Sequence, residues 1–467
     1  MHETKLTKIV ATIGPASDTP ELIKQLILAG VNVFRFNTKH STPEWHSERI
    51  NRVQSVADAL HTPVAILLDL QGPEIRLETR DKQDLQVKAG ELLSFGSTFV
   101  AGINVIIPHR GIFSHLHPGS PLLIDDGFVE TEVVSVNDDR LTVKIMHDSV
   151  IKHRKGVNLP GVEVDFPALI ENDIKQLDGN ARNKVDYVGL SFVRSAKDIE
   201  LLRSELTKRS MTAQIVAKIE SQPALDNIDP IISAADAIMV ARGDLGVEVP
   251  LEQLAYWQKT LISKARQARK PVITATQMLE SMITHPRPTR AEATDVAHAV
   301  FDGTDAVMLS AETASGNYPV RCVETMARIA HFNEGKIPTP LSTPPADQTQ
   351  LLTSAAVTLI NNSVAPIDAI LVFTETGYTA RALAAHHLPI PVIAATDTTS
   401  TCELLTLSFG ITPVKTTFPT GPYSSPSPVI TQLLNTRVLK KGQTILIIHG
   451  HQWQEPGNTN AFAITTI

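Results

Sequence analysis

Apolar runs of strand length alternate with stretches of helical period over most of the chain. KIVATIG (Lys8–Gly14), VNVFRFN (Val31–Asn37) and VAILLDL (Val64–Leu70) read as buried strands, and Thr19–Ala29 and Pro43–Leu60 as the helices after the first two. The alternation stops after the third strand. It resumes with a helix at Glu171–Asn183 and five further strands: DYVGLS (Asp186–Ser191), QIVAKIE (Gln214–Glu220), DAIMVAR (Asp236–Arg242), PVITAT (Pro271–Thr276) and DAVMLS (Asp305–Ser310). A helix at Pro319–Asn333 ends the series. Eight strands in βα order is the number that closes a (β/α)8 TIM barrel. The alternative, an open doubly wound sheet, usually carries a glycine-rich dinucleotide turn after its first strand. Here that turn is GPAS, and neither a GxGxxG nor a P-loop pattern occurs.

The interruption has another texture. LQVKAGELLSFG, SPLLIDDGFVETEVVSV and LTVKIMHD alternate apolar and polar residues between Gly, Asp and Asn turns, which predicts an inserted all-β domain over 74–164. Leaving the barrel after its third strand, it is expected at the catalytic face, as a lid. The barrel then takes residues 1–73 and 165–334. A linker rich in Pro, Thr and Ser follows at 335–350. Residues 351–467 return to αβ alternation. Helices at Leu351–Val364, Gly377–His387, Ser400–Phe409 and Val429–Leu434 separate the strands AILVFT, PVIAAT, ITPVK and QTILIIHG, and AFAITTI ends the chain. This predicts a separate C-terminal three-layer α/β domain.

Charge is concentrated where the strands end. In QIVAKIE, residues two apart share a face, so Lys218 and Glu220 point together. Ser221 is placed to cap the next helix, with Pro223 in its first turn. The following strand runs into Arg242-Gly243-Asp244, read as a turn that leaves a carboxylate at the strand end. Such charges are costly on apolar strands unless an ion, a charged ligand or a rim salt bridge meets them. Around the eight strand ends stand Arg35, Asn37, Asp69, Ser191, Arg194, Lys218, Glu220, Asp244, Thr276, Ser310 and Glu312. Cations, carboxylates and hydroxyls converging on one mouth suit a small, multiply charged substrate with a divalent metal. The chemistry this implies is phosphoryl transfer or enolate formation.

Composition narrows the classes. A net charge of -7 gives no reason to expect nucleic acid as a partner. No apolar run approaches the length of a membrane span, and MHETKLTK does not read as a signal peptide. Two distant cysteines, Cys322 and Cys402, argue against a disulfide framework or zinc site. A cytoplasmic enzyme is the expectation.

The ordered blocks KIVATIGPAS, LLDLQGPEIRL, LIDDG, KGVNLPG, SFVRSAKD, IVAKIES, ARGDLGVEVP, PVITATQMLESM, PRPTRAEATDVAHAVFDGTDAVMLSAETASGNYPV and GNTNAF resemble the pyruvate kinase family over nearly the whole chain. The resemblance implies transfer of phosphate from phosphoenolpyruvate to ADP, giving pyruvate and ATP, by a homotetramer that uses Mg2+ or Mn2+. It implies that Lys218 neutralises the transferring phosphoryl group and that Glu220 and Asp244 hold the divalent ion. Arg35 would contact the phosphate, while Gly243, Asp244 and Thr276 would hold the substrate carboxylate. Asn37, His40, Arg76 and Lys155 would face the nucleotide, and Asp126 would reach the site when the lid closes. Thr276, Ser310 and Glu312 are candidates for a relay protonating the enolate. A lyase or mutase acting on pyruvate or phosphoenolpyruvate uses similar metal pairs, but the lid after strand three argues against it. Intact Lys218, Glu220 and Asp244 argue against a non-catalytic effector-binding paralogue.

Several residues have structural readings too. Ser191 could simply cap a helix, and Glu312 is expected to pair with a neighbouring arginine or lysine. Arg287 and Arg290 suit a helix start or subunit contact; His115, His117 and His153 are expected to be solvated. Two departures from the family pattern stand out. The family's monovalent-ion residues match Asn37, Lys39, Asp69 and the Leu70 carbonyl, but Lys39 replaces a serine. Its ammonium is expected to stand in for potassium, pairing with Asp69, so that K+ becomes dispensable; retained Glu74 argues the other way, with Lys39 turned to solvent. In the last domain the effector loop offers Thr374, Thr376, Gly377 and Thr379 to a phosphorylated effector, with Tyr378 in place of a basic residue.

Overall fold

In a computed structural model of the chain, the structure describes all residues except 1–4, 163–165, 337–340, 342–343, 419–424 and 451–458. The lid boundary at Val164 and part of the 335–350 linker therefore lie outside the described residues. Eight parallel strands close a barrel: Lys8–Thr12, Val33–Asn37, Ala65–Asp69, Tyr187–Leu190, Gln214–Ile219, Ala237–Ala241, Val272–Ala275 and Ala306–Leu309. All are buried, which is why the runs are continuously apolar rather than alternating. The third and fourth strands pair directly, with Leu67 opposite Tyr187 and Asp69 opposite Gly189, so the insertion leaves the barrel register intact.

Two local expectations are corrected. Arg242-Gly243-Asp244 is not a turn; it opens a helix, Arg242–Glu248. Ser221 occupies a helix N-cap, but its hydroxyl makes no capping bond and is buried without a hydrogen-bond partner.

The inserted domain contains a seven-stranded, mainly antiparallel sheet and a two-stranded one. It has its own core, including Phe95, Val105, Phe113, Val133 and Ile151. The last domain is a five-stranded sheet in which Ala369–Phe373 is central and the terminal Thr459–Thr466 pairs antiparallel with Thr444–Gly450. It is not detached from the barrel. Tyr187 Oη donates to Leu404 O (2.6 Å), Gly410 N to Leu6 O (2.9 Å) and Phe409 N to Asp305 Oδ1 (2.9 Å). Leu407 belongs to the same cluster as the barrel-interior residues Val10, Val33, Leu67 and Met239. Among the described residues no helix is long and apolar enough to cross a membrane.

Candidate active site

The strands bring the predicted charges together at their C-terminal ends. Lys218 Nζ lies 2.8 Å from Glu220 Oε1, 2.7 Å from Ser191 Oγ and 3.4 Å from Asp69 Oδ1. Asp69 is held on its other oxygen by Arg35 Nε (2.5 Å), and Arg35 Nη1 donates to Thr12 Oγ1 (3.0 Å). Asp69 and Glu220 are each 1% exposed, so these are interior ion pairs. Burial lowers the Lys218 pKa, but Asp69 and Glu220 outweigh it and hold the ammonium above the ordinary lysine range. Burial likewise opposes the Asp69 charge, and Lys218 and Arg35 reverse that, keeping the carboxyl below its usual range.

Ser191 is not a helix cap. It accepts from Lys218 and donates to Leu70 O (2.7 Å), while Ser195 occupies the next N-cap position. Asp244 lies in the same field without a comparable partner. Burial, then repulsion from Glu220, pushes its pKa up to about 7. Glu220 Oε2 is fixed by the Phe192 amide (2.7 Å). Across the mouth Thr276 Oγ1 accepts from Gly243 N (2.7 Å) and donates to Ala275 O (2.6 Å).

Glu312 is buried and accepts from the amides of Ser310 (2.7 Å) and Leu279 (3.2 Å), not from a basic side chain as expected. Its acidic oxygens thus order the backbone after the eighth strand. Burial raises its pKa.

The lid side assembles a second group. Lys155 Nζ pairs with Asp125 Oδ1 (2.7 Å), and Arg76 pairs with Glu74 (2.8 Å). His40 sits among Lys39, Arg76 and Arg35, and burial followed by those cations lowers its pKa. Lys39 binds Glu74, with its side chain about one-third exposed; it does not pair with Asp69, which Arg35 and Lys218 already claim. The Asn37 carboxamide oxygen accepts from Lys39 N (3.2 Å). His153 is half-buried rather than solvated, its Nδ1 accepting from Thr79 N (3.3 Å), whereas His115 and His117 are exposed. A cleft of about 910 Å³, mouth included, separates lid from barrel and is lined by Glu74, Asp126, Arg194 and Asp244.

In the last domain Thr374 Oγ1 accepts from Gly377 N (3.0 Å), and Gly377 adopts a left-handed φ of 83°. Thr379 Oγ1 is bonded to Thr459 Oγ1 (2.9 Å), and Thr376 O accepts from Arg381 (3.3 Å). Tyr378 donates to Asp347 and accepts from Gln350 (2.7 Å), tying the loop to the preceding helix.

A family model described as the pyruvate kinase barrel domain matches residues 4–323, and one described as the pyruvate kinase alpha/beta domain matches residues 350–465. The chain belongs to the pyruvate kinase family. It is 39% identical to a pyruvate kinase of Agrobacterium vitis, over 100% of this chain and 99% of that one. It is also 39% identical to a pyruvate kinase of Bacillus licheniformis, over 99% of this chain and 80% of the relative. A crystal structure of a pyruvate kinase from Cryptosporidium parvum superposes with a TM-score of 0.91 at 32% identity, covering 99% of this chain and 96% of that one.

Reading from sequence missed three supports of this family site. Asp125, not only Asp126, takes part, as the partner of Lys155. Asp173 accepts from the amides of Gln71 (2.9 Å) and Gly72 (3.3 Å), fixing the chain just after Asp69. Gly189 leaves room for Asp69: a Cβ there would lie 2.8 Å from Asp69 Oδ1. A glycine inside an apolar strand was the available signal.

Proposed function

We infer that the chain transfers the phosphoryl group of phosphoenolpyruvate to ADP, and that Lys218, held charged between Asp69 and Glu220 beside Asp244, is the feature on which catalysis turns. The bond from the enol oxygen to phosphorus breaks as one forms to the terminal phosphate oxygen of ADP. Negative charge passes through the transferring group, and a fixed buried ammonium stabilises it without reorganising. Arg35 presents its remaining guanidinium donors to the same group. The Thr276 hydroxyl and the amides of Gly243 and Asp244 receive the substrate carboxylate. Asn37, His40, Arg76 and Lys155 face the nucleotide from the lid side. A proton then reaches the enolate carbon, and Thr276, Ser310 and Glu312 are the candidates for the relay that delivers it.

Among the described residues no cluster of three or more metal-ligating side chains occurs, but two carboxylates fit Mg2+ or Mn2+, which keeps waters and substrate oxygens as its other ligands. Burial, then repulsion from Glu220, raises the Asp244 pKa, and a cation held by the two carboxylates would relieve that repulsion. When bound, the ion would supply positive charge against the substrate's anionic groups, held by Glu220 and Asp244. For the monovalent position, Asn37 Oδ1, the Leu70 carbonyl and one Asp69 oxygen already accept protein hydrogen bonds. Lys39 is neutralised by Glu74 rather than placed against Asp69, so fixed charge at that position comes from Arg35 and Lys218 alone; substantial activity without potassium, with a greater response to it in Lys39→Ser, is expected only if that charge suffices. An enzyme silent until potassium is added overturns that part.

The last domain is proposed to serve association into a tetramer and effector binding rather than chemistry. The loop from Thr374 to Thr379 is the place for a phosphorylated effector, although two of its hydroxyls are engaged internally. The decisive assay is pyruvate release coupled to a second enzyme, with and without ADP. Strict ADP dependence with matching ATP formation is expected; ADP-independent release overturns the assignment.

A further inference from the structure

A guanidinium has five N–H donors in one plane. Arg242, buried at the start of the Arg242–Glu248 helix, finds acceptors for all of them. Nε donates to Ala275 O (3.3 Å), and Nη2 to Thr276 O (2.7 Å) and Met278 Sδ. Nη1 donates to Gln258 Oε1 (3.2 Å) and Asp295 Oδ1 (2.8 Å). Three of those acceptors lie at the end of the seventh strand and in the loop that follows it. The other two lie on the helices Leu254–Gln267 and Arg290–Phe301, and Gln258 is itself fixed by Asp302 (2.9 Å).

That loop needs holding. Thr276 and Gln277 have φ of 70° and 54°, two consecutive non-glycine residues in the left-handed region, the first of them β-branched. Such a conformation is unfavourable and persists only where the surroundings over-determine it. The Thr276 hydroxyl bridges Gly243 N, the residue after Arg242, and Ala275 O, an oxygen that Arg242 also holds. If the pair relaxed to an extended or right-handed backbone, the hydroxyl could not keep this bridge in its present geometry.

We propose that Arg242 is a positioning residue which keeps Thr276 and Gln277 left-handed and thereby sets the Thr276 hydroxyl toward the substrate. This rests on the reading of Thr276 as a substrate contact. Lysine cannot substitute, because a point charge satisfies Asp295 but not two carbonyls in one plane.

The test uses the full chain as Arg242→Lys, Gln277→Gly, their combination, and Thr276→Ala. Rates of pyruvate formation are measured together with exchange of pyruvate methyl protons in D2O, the reverse of enolate protonation, and melting temperature reports folding. Arg242→Lys is expected to lower kcat and proton exchange about 30- to 100-fold, the scale of a one-ångström misplacement, with KM for ADP nearly unchanged. Glycine adopts a positive φ freely. Gln277→Gly, at an exposed side chain, is therefore expected to leave the wild-type rate nearly unchanged and to restore the Arg242→Lys rate several-fold. A purely structural loss would show no such rescue. Should Arg242→Lys fail to fold, Asp295→Asn loosens the same guanidinium from a half-exposed position and is expected to show a smaller loss with the same rescue. Absence of rescue in whichever background folds overturns the proposal. So does a wild-type rate in Arg242→Lys while Thr276→Ala is slow. A wild-type rate in Thr276→Ala instead overturns the reading of Thr276 on which the proposal rests.

Discussion

At the C-terminal ends of the barrel strands, Lys218 and Asp69 are buried and held in their charged forms. At the opposite end Lys8, Asp186 and Asp305 are also buried and shifted toward neutrality. Burial brings Lys8 down to about 8 and takes Asp305 up to about 6; burial and then Glu403 take Asp186 up to about 7. The difference lies in the partners rather than in depth. Lys8 reaches the Ile411 carbonyl (2.6 Å), and Asp305 is met by the amides of Val272 and Phe409. Such dipoles offset less desolvation than the opposite charges converging on Lys218. The base joins two domains and has no need of ionisation. On the proposed function the mouth handles a charged substrate, so its charges must survive burial. Asp244 departs from the rule of the mouth because burial, followed by repulsion from Glu220, outweighs the opposing pull of Lys218.

The most severe break of this contrast is Lys218→Ala. It is expected to lower kcat by on the order of 10² or more with the fold retained, as for loss of a charge aimed at the transition state. A folded variant within a few-fold of wild type would show the mouth and base to be equivalent. Gly189→Ala probes the same cluster more gently. Its Cβ falls 2.8 Å from Asp69 Oδ1, so the carboxylate must shift and carry Lys218 and Arg35 with it. A kcat loss of about tenfold is expected from displacement alone; unchanged kinetics would mean that Asp69 need not be held there.

Asp186→Asn, at the base, is expected to leave activity intact and to stabilise. The Asp186 pKa is raised on folding, so the folded state retains the proton to higher pH than the unfolded state. The stability this confers is lost as pH rises, by about 1.4 kcal/mol per unit, between the ordinary aspartate value and about 7. Asparagine avoids that loss while still accepting from Ile66 N, so the gain in melting temperature should be largest at pH 8 and small near pH 4. A gain independent of pH would remove Asp186 from the comparison.

The barrel was legible because its eight strands are apolar runs, charged only near their ends, and separated by helical periods, a pattern that depends little on distant contacts. Lys218 and Glu220 were legible for a related reason: a two-residue offset on a strand fixes a common side, and they lie 2.8 Å apart. Pairings chosen among several opposite charges were not legible. Lys39 was expected against Asp69 and binds Glu74, because Arg35 and Lys218 had already taken the aspartate. Glu312 was given a basic partner and found backbone amides, a choice made by the path of the loop after the eighth strand. Arg242 passed as part of a turn, since nothing local announces that three other segments converge on one guanidinium.

Leu407 sits more than seventy residues beyond the last barrel helix, Pro319–Asn333, yet fills the barrel interior beside Val10 and Leu67. The cylinder therefore has no floor of its own. During synthesis all eight staves emerge before the segment that seals them, and the interior stays wet at one end until the last domain arrives. Domains commonly fold in order as they are made; here the first is expected to gain its full packing only with the last. A shortened gene ending near residue 334 is accordingly expected to yield not a smaller working unit but a chain with an open apolar well, seeking closure from its neighbours.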